Sequence, residues 1–136
     1  MVFDSKIAVV VRDDLATWQK VNVASFLSGG LAGLFPEIVG APYADADGQA
    51  YGPMIRQPIL VFGATSAALA QIRGAALAEG LRFPIYTEDL FKTGHDDANR
   101  AAVRAVSGDA LNLVGLALHG PRKRIDRLVK GLRLLS

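Results

Sequence analysis

Apolar residues in this chain fall into short solid runs separated by segments of helical period. Lys6 to Val11 reads Lys-Ile-Ala-Val-Val-Val, a continuous run that predicts a strand buried on both faces. Arg12-Asp13-Asp14 is its polar exit. From about Thr17 to Leu34 the period turns helical. Val21, Phe26, Leu27 and Leu31 are expected to share one apolar stripe, with Thr17 as the cap. Gly29-Gly30 inside this helix costs roughly 1 kcal/mol per glycine against alanine, which close approach of another backbone would offset. Pro36 ends the helix or follows its end.

Residues 41–53 read as an inserted hairpin, two short arms around Asp47-Gly48, because glycine supplies the positive φ of the turn. Pro58 to Phe62 is a second apolar strand. Ser66 to Glu79 is an Ala-rich helix, capped at Thr65 or Ser66 and stopped at Gly80. Leu81 to Thr87 is a third strand. Glu88 to Val106 holds a turn or two of helix, a break at Gly94 and a helix from about Asp96. Leu111 to His119 is a fourth strand, and Gly120-Pro121 opens a basic helix expected to run from 121 to 136. This alternation predicts one α/β domain over 1–136, a mixed sheet with helices on both faces, with Ile7–Val11 and Val114–Leu118 as central strands.

Length and composition agree with that. The 136 residues suffice for one core, and 51% apolar with 21% charged residues describes a globular chain. There is no cysteine, which excludes disulfides, thiolate metal sites and a cysteine nucleophile. No apolar run reaches the ~18 residues of a membrane span. The start lacks a basic region followed by an apolar run, so a cytoplasmic protein is expected. Charge is divided unevenly. Residues 1–121 carry nine basic and twelve acidic groups, while 122–136 carry six basic groups against Asp126 alone. That tail is either a solvated helix face or a phosphate-facing patch.

Several chemistries are absent. No Gly-x-Gly-x-x-Gly, P-loop or Gly-x-Ser-x-Gly motif is present, and His95 and His119 are the only histidines. No metal site and no cofactor are implied. His95-Asp96-Asp97 after Thr93-Gly94 is best read as a helix start capped by Thr93, with Asp96 at the capping-box position. Asp45-Ala46-Asp47-Gly48 resembles the start of a calcium loop but lacks its later ligands. His119-Gly120-Pro121, followed by Arg122 and Lys123, stands at a strand end where a helix begins and could hold an anion. Lys20, at the start of the first helix, sits where a cation is electrostatically disfavoured, and Trp18 beside it could form an aromatic platform.

Val11-Arg12-Asp13-Asp14-Leu15, with a lysine-bearing helix after it, resembles the opening of the type-two (archaeal/eukaryotic-type) peptidyl-tRNA hydrolases. Gly80-Leu81, the run to Tyr86, Thr87-Glu88-Asp89, and Leu113 to Pro121 extend that resemblance. A fuller likeness is to an uncharacterised bacterial family, the domain-of-unknown-function family numbered two thousand. It is carried by Trp18-Gln19 to Asn22-Val23-Ala24, Ile55-Arg56-Gln57-Pro58-Ile59, Tyr86-Thr87-Glu88, Gly94-His95, Asn99-Arg100-Ala101 and His119-Gly120-Pro121-Arg122-Lys123. The resemblance implies a mixed four-stranded sheet in a three-layer α/β/α arrangement of the peptidyl-tRNA-hydrolase-two kind. It also implies functional positions. Lys20 matches the hydrolases' lysine with a one-residue shift, Glu88 stands in the place of their aspartate, and Thr93 matches their threonine across a gap. Their glutamine falls on Ala24 or Ser25 and is absent.

The leading expectation is a protein that binds a small anionic or nucleotide-like ligand in a strand-end cleft. Its candidate binding residues are Trp18, His95, His119, Arg122 and Lys123. The first alternative is a hydrolase of peptidyl- or aminoacyl-tRNA esters. Lys20, Glu88 and Thr93 would be its catalytic set, and Lys20 and Glu88 would meet directly or across one water. In that case RNA is the partner. The second alternative is a non-catalytic module that forms a homodimer through the apolar stretch from Phe26 to Phe35.

Overall fold

The strand beginning the chain organises everything else. In the computed structural model, which describes residues 3–136, β1 (Ser5–Arg12) is buried on both sides. Ala8 and Val10 pack on one face with Leu69, Ile72 and Ala76 of α2 (Ser66–Ala78) and Ile125 of α4 (Arg122–Leu128). Ile7, Val9 and Val11 pack on the other face with Val23, Leu27 and Leu31 of α1 (Thr17–Leu34). A strand apolar on both faces needs a cover on each, and three layers follow.

β6 (Leu113–Pro121) runs antiparallel to β1, and β4 (Ile59–Ala64) runs parallel to it. With β5 (Ile85–Thr87) and β7 (Arg133–Leu134) the order is β5-β6-β1-β4-β7, so the two strands expected at the centre are interior. The sheet has five strands rather than the four implied. The fifth comes from the tail expected to be helical to residue 136. That helix stops at Leu128, and Gly131 at φ +86° turns the chain back. Leu134 then pairs with Phe62, and the Leu135 N–H donates to the Val61 carbonyl at 2.9 Å. Ladder partners for β4 outweigh further helix.

Other local differences have equally plain causes. β5 is three residues long because Pro84 brings no N–H to the ladder, while Leu81 and Phe83 pack against the core as loop residues. α1 is capped at Ala16, whose N–H donates to the Gln19 carboxamide oxygen at 3.0 Å, and not by Thr17. Its buried row is Val23, Leu27 and Leu31, whereas Val21 and Phe26 are each 62% exposed. At Gly30 the close neighbour is a side chain rather than the expected backbone, since a Cβ there would lie 3.1 Å from the Pro84 ring, while a Cβ at Gly29 would meet nothing within 4 Å. Thr65 caps α2 by accepting the Ala68 N–H at 3.1 Å. α3 (Asp96–Arg104) is capped by His95 rather than Thr93. The hairpin forms as β2 (Tyr43–Ala44) and β3 (Ala50–Tyr51). Its turn is held by Asp45, which accepts from the Tyr51 hydroxyl at 2.7 Å and the Gln49 N–H at 3.0 Å; these bonds keep the Asp45 carboxyl below its ordinary pKa. Among the described residues no helix is long and apolar enough to cross a membrane.

Gly115 marks where α1 rests on β6. A Cβ there would lie 2.7 Å from Val23 Cγ1, 2.9 Å from Leu27 Cδ1 and 3.0 Å from the Val10 carbonyl oxygen. At the far end of α1, the Phe35 ring closes over His119, centroid to centroid 4.7 Å. Burial lowers the His119 pKa, and Glu37 opposes that only in part.

Gly115→Ala should therefore destabilise the fold by about 1–3 kcal/mol, read as a lower urea midpoint at unchanged slope. His119 predicts a pH effect. Its native pKa lies below the unfolded value of about 6.5, so on acidification the unfolded chain takes up the proton first. Stability from this residue is complete above that pH and declines as pH falls towards the native pKa. The urea midpoint should drop between pH 7.5 and 5.5 by more in the parent than in His119→Gln; equal drops would assign the pH dependence elsewhere.

Candidate functional site

α1 covers only the middle of its sheet face, and a groove opens along each flank. Residues four apart line up on a helix, so Thr17, Val21 and Ser25 belong to one flank and Trp18, Asn22 and Phe26 to the other. The first flank, with Lys20, Ala24 and Ser28, looks across to Ile59 and Val61 of β4 and to Leu135 and Ser136, enclosing about 650 Å3. This groove is apolar apart from small hydroxyls and Lys20, whose Nζ donates to the Ser136 carbonyl at 3.1 Å.

The second groove, about 670 Å3, lies between α1, β5, the 3-10 turn Glu88–Phe91 and the start of α3. Four aromatic rings line it in a chain of contacts. Trp18 meets Phe91 at 5.8 Å nearly edge-on, Phe91 meets Tyr86 at 5.2 Å, and Tyr86 meets Phe26 at 5.9 Å. Tyr86 is buried, and desolvation raises its pKa, so its hydroxyl stays neutral. Trp18 stays 62% exposed at the rim, an aromatic face with room beside it. Asn22, Thr93, His95, Asp96 and Asn99 supply the polar groups. The His95 Nδ1 accepts the Ala98 N–H at 3.2 Å, so in the neutral ring the proton sits on Nε2. Asp96 is paired with Arg100 at 2.6 Å. With that acid paired and no lysine or arginine in its wall, the groove suits an uncharged ring better than a free anion.

The candidate residues therefore do not share one cleft. Trp18, Thr93 and His95 wall the aromatic groove, and Lys20 walls the opposite one. Glu88 is at neither. Its carboxylate bonds the Asn112 amide and lies 3.6 Å from Arg12, itself 2.6 Å from Asp14. His119, Arg122 and Lys123 belong to the other end of the sheet, because β6 is antiparallel to β1 and Ser5 pairs with Pro121. Eight residues of strand, roughly 25 Å, separate that end from the one where Lys20 follows β1. At the start of the last helix, Arg122 is engaged by the chain itself. The Arg122 N–H donates to the Asp4 carbonyl at 3.0 Å, and the Arg122 guanidinium donates twice to the Phe3 carbonyl, at 3.2 and 3.0 Å. Arg124 and Arg127 face Glu79 at 3.7 and 3.0 Å. Among the described residues no three His, Asp or Glu side chains gather as a metal set.

Sequence reasoning missed Phe26, Tyr86, Phe91, Asn22 and Asn99 as groove residues. The signal for Asn22 and Phe26 was the four-residue row starting at Trp18; the stripe through Val21 and Phe26 hid it. Nothing in the local pattern of Tyr86 and Phe91 marks them as groove wall as well as core.

A search of the curated proteins returns no match. Among solved structures, the chain is similar to a protein of unknown function from Agrobacterium tumefaciens strain C58, at 43% identity and a TM-score of 0.94, covering 99% of this chain and all of that one. The family model described as "Protein of unknown function (DUF2000)" matches residues 5–136, and the chain belongs to that family.

Proposed function

We propose that this protein binds a small, uncharged, planar heteroaromatic molecule of the nucleobase or nucleoside class in the groove between α1, β5 and α3. The observation that carries this reading is the chain of four rings, Trp18, Phe91, Tyr86 and Phe26, set beside two carboxamides, a hydroxyl and an imidazole. Ring faces give stacking without regard to charge, and a few fixed polar groups orient the edge. Of the nucleotide-like ligand expected from the sequence, this reading keeps the base, since no lysine or arginine lines this wall for an anionic part.

Kinship of fold with the type-two peptidyl-tRNA hydrolases belongs to the same proposal, on the resemblance of Val11 to Leu15 and Gly80 to Asp89. Ester hydrolysis is less well supported, because Lys20, Glu88 and Thr93 stand in three different surroundings. RNA binding rests on the basic segment 122–136, three of whose arginines are engaged within the chain. Self-association through α1 rests on the exposed Val21 and Phe26 and is read by light scattering. A cytoplasmic setting suits any of these.

Trp18 is the only tryptophan and stands at the groove's rim, so its emission reports occupancy directly. Titration with the free bases and nucleosides should give a saturable change with at least one of them. Phe91→Ala should weaken that binding about five- to 150-fold, from a stacking contribution of ~1–3 kcal/mol per base. No saturable change with any base or nucleoside up to its solubility limit would overturn the proposal.

A further inference from the structure

Thr93 lies deeper in the groove wall than its exposed neighbours Gly94 and His95, and its hydroxyl has two partners. It stands 3.0 Å from the Leu90 carbonyl oxygen and also contacts Asn99 Oδ1. A hydroxyl carries one proton. If that proton went to the Asn99 oxygen, the Leu90 carbonyl would lose its donor, and two oxygens would face each other there. If it goes to Leu90, Asn99 must turn its NH2 towards the Thr93 oxygen, and both contacts become hydrogen bonds. Carboxamide orientation is assigned by this kind of network, and here the second arrangement makes both contacts hydrogen bonds within the protein. It leaves the Asn99 carbonyl oxygen as the free end of the amide, on a side chain in the groove wall.

We infer that Thr93 is a positioning residue that fixes Asn99 as a hydrogen-bond acceptor in the groove, so that the site selects rings carrying an N–H on their edge over N-methylated ones. This rests on the reading of the groove as a base site and adds the sense of its polar contact. His95 supplies the opposite sense. Its Nδ1 is committed to the Ala98 N–H, so its Nε2–H is a donor. A ring edge with one donor and one acceptor would use both. Inosine and adenosine have such edges on a ring whose N9 is blocked by the sugar; 1-methylinosine and N6,N6-dimethyladenosine lack that N–H. A hydroxyl at 93 is needed for this, since valine has the same shape but cannot accept from Asn99, and the amide would be free to turn over.

The test is the ratio of dissociation constants within each methylated and unmethylated pair, read by Trp18 emission. The parent should favour the unmethylated member by about tenfold or more in at least one pair, because an acceptor built to pair is otherwise left unpaired. Thr93→Val should bring that ratio down to the steric effect of the methyl group alone, and Thr93→Ser should keep the parent's ratio. Phe91→Ala should weaken both members alike. If Thr93→Val does not fold, Asn99→Ala removes the acceptor itself and should lower the ratio in the same way. A parent ratio near one, or a parent-like ratio in Thr93→Val or Asn99→Ala, overturns the inference while leaving base binding intact. Absence of any binding by the parent overturns the base site, and this inference with it.

Discussion

At Gly115 a helix and a sheet come as close as main chain allows, and the shape of the α1 face follows from that contact. Val23 and Leu27 rest on the glycine where a methyl group would already collide. Gly30, a turn further along, lets the same helix slide past Pro84. Two close approaches on one helix fix both its height and its direction over β6 and β1. A helix is about 10 Å wide with its side chains, and the five-stranded sheet is about twice that, so α1 leaves a margin on each side. Those margins are the two grooves. Neither was designed into a loop; each is what remains when one helix covers the centre of a wide sheet.

What fills the margins decides their chemistry. On the β4 side the sheet offers Ile59 and Val61, and the returning tail adds Leu135, so the walls are aliphatic and the only charge is the Lys20 amine. On the β5 side the strand is short and the chain leaves it as a 3-10 turn, which sets Phe91 against Tyr86 at a tilt and brings Trp18 against Phe91. Rigid rings with few torsions give contact area at low entropic cost. The start of α3 then presents its cap residue and first-turn side chains to the same space. His95 is spent on one N–H of the helix, and Asp96 on Arg100. Thr93, Asn22 and Asn99 are the neutral polar groups that remain. The difference between the grooves lies in the strand each adjoins, since the helix between them is common to both.

The sequence made the frame legible and the site only in part. Ile7–Val11 and the run after Leu113 declare themselves as interior strands by apolar continuity, which no edge strand needs. Thr65 and Gly80 bound α2 because caps and positive-φ stops are local devices. Residues 129–136 were not legible as a strand. Val129, Leu132 and Leu135 repeat at helical spacing, and the deciding term was the unpaired edge of β4, which lies some seventy residues earlier in the chain. α1 was misread for a related reason. A helix whose apolar and polar residues are spread around its circumference has no single stripe, and the sheet beneath decides that Val23, Leu27 and Leu31, and not Val21 and Phe26, form the buried row. Trp18, Thr93 and His95 were named from the sequence and line one groove; Tyr86 and Phe91 beside them needed the turn after β5.

The antiparallel placement of β6 bears on function as much as on fold. Candidate residues at a strand's C-terminal end cluster together only when the strands run the same way. Here β1 and β4 are parallel, but β6 returns between β5 and β1. His119 and the basic start of α4 are thereby carried to the opposite end from Lys20 and Glu88. There the chain turns their chemistry inward: the His119 ring lies against Phe35, and Arg122 ties down the carbonyl of Phe3. His119 and Arg122 thus help to close that end of the sheet. The unspent polar groups beside exposed aromatic surface are left on the β5 flank of α1, and it is there that a ligand would find stacking faces and hydrogen bonds together.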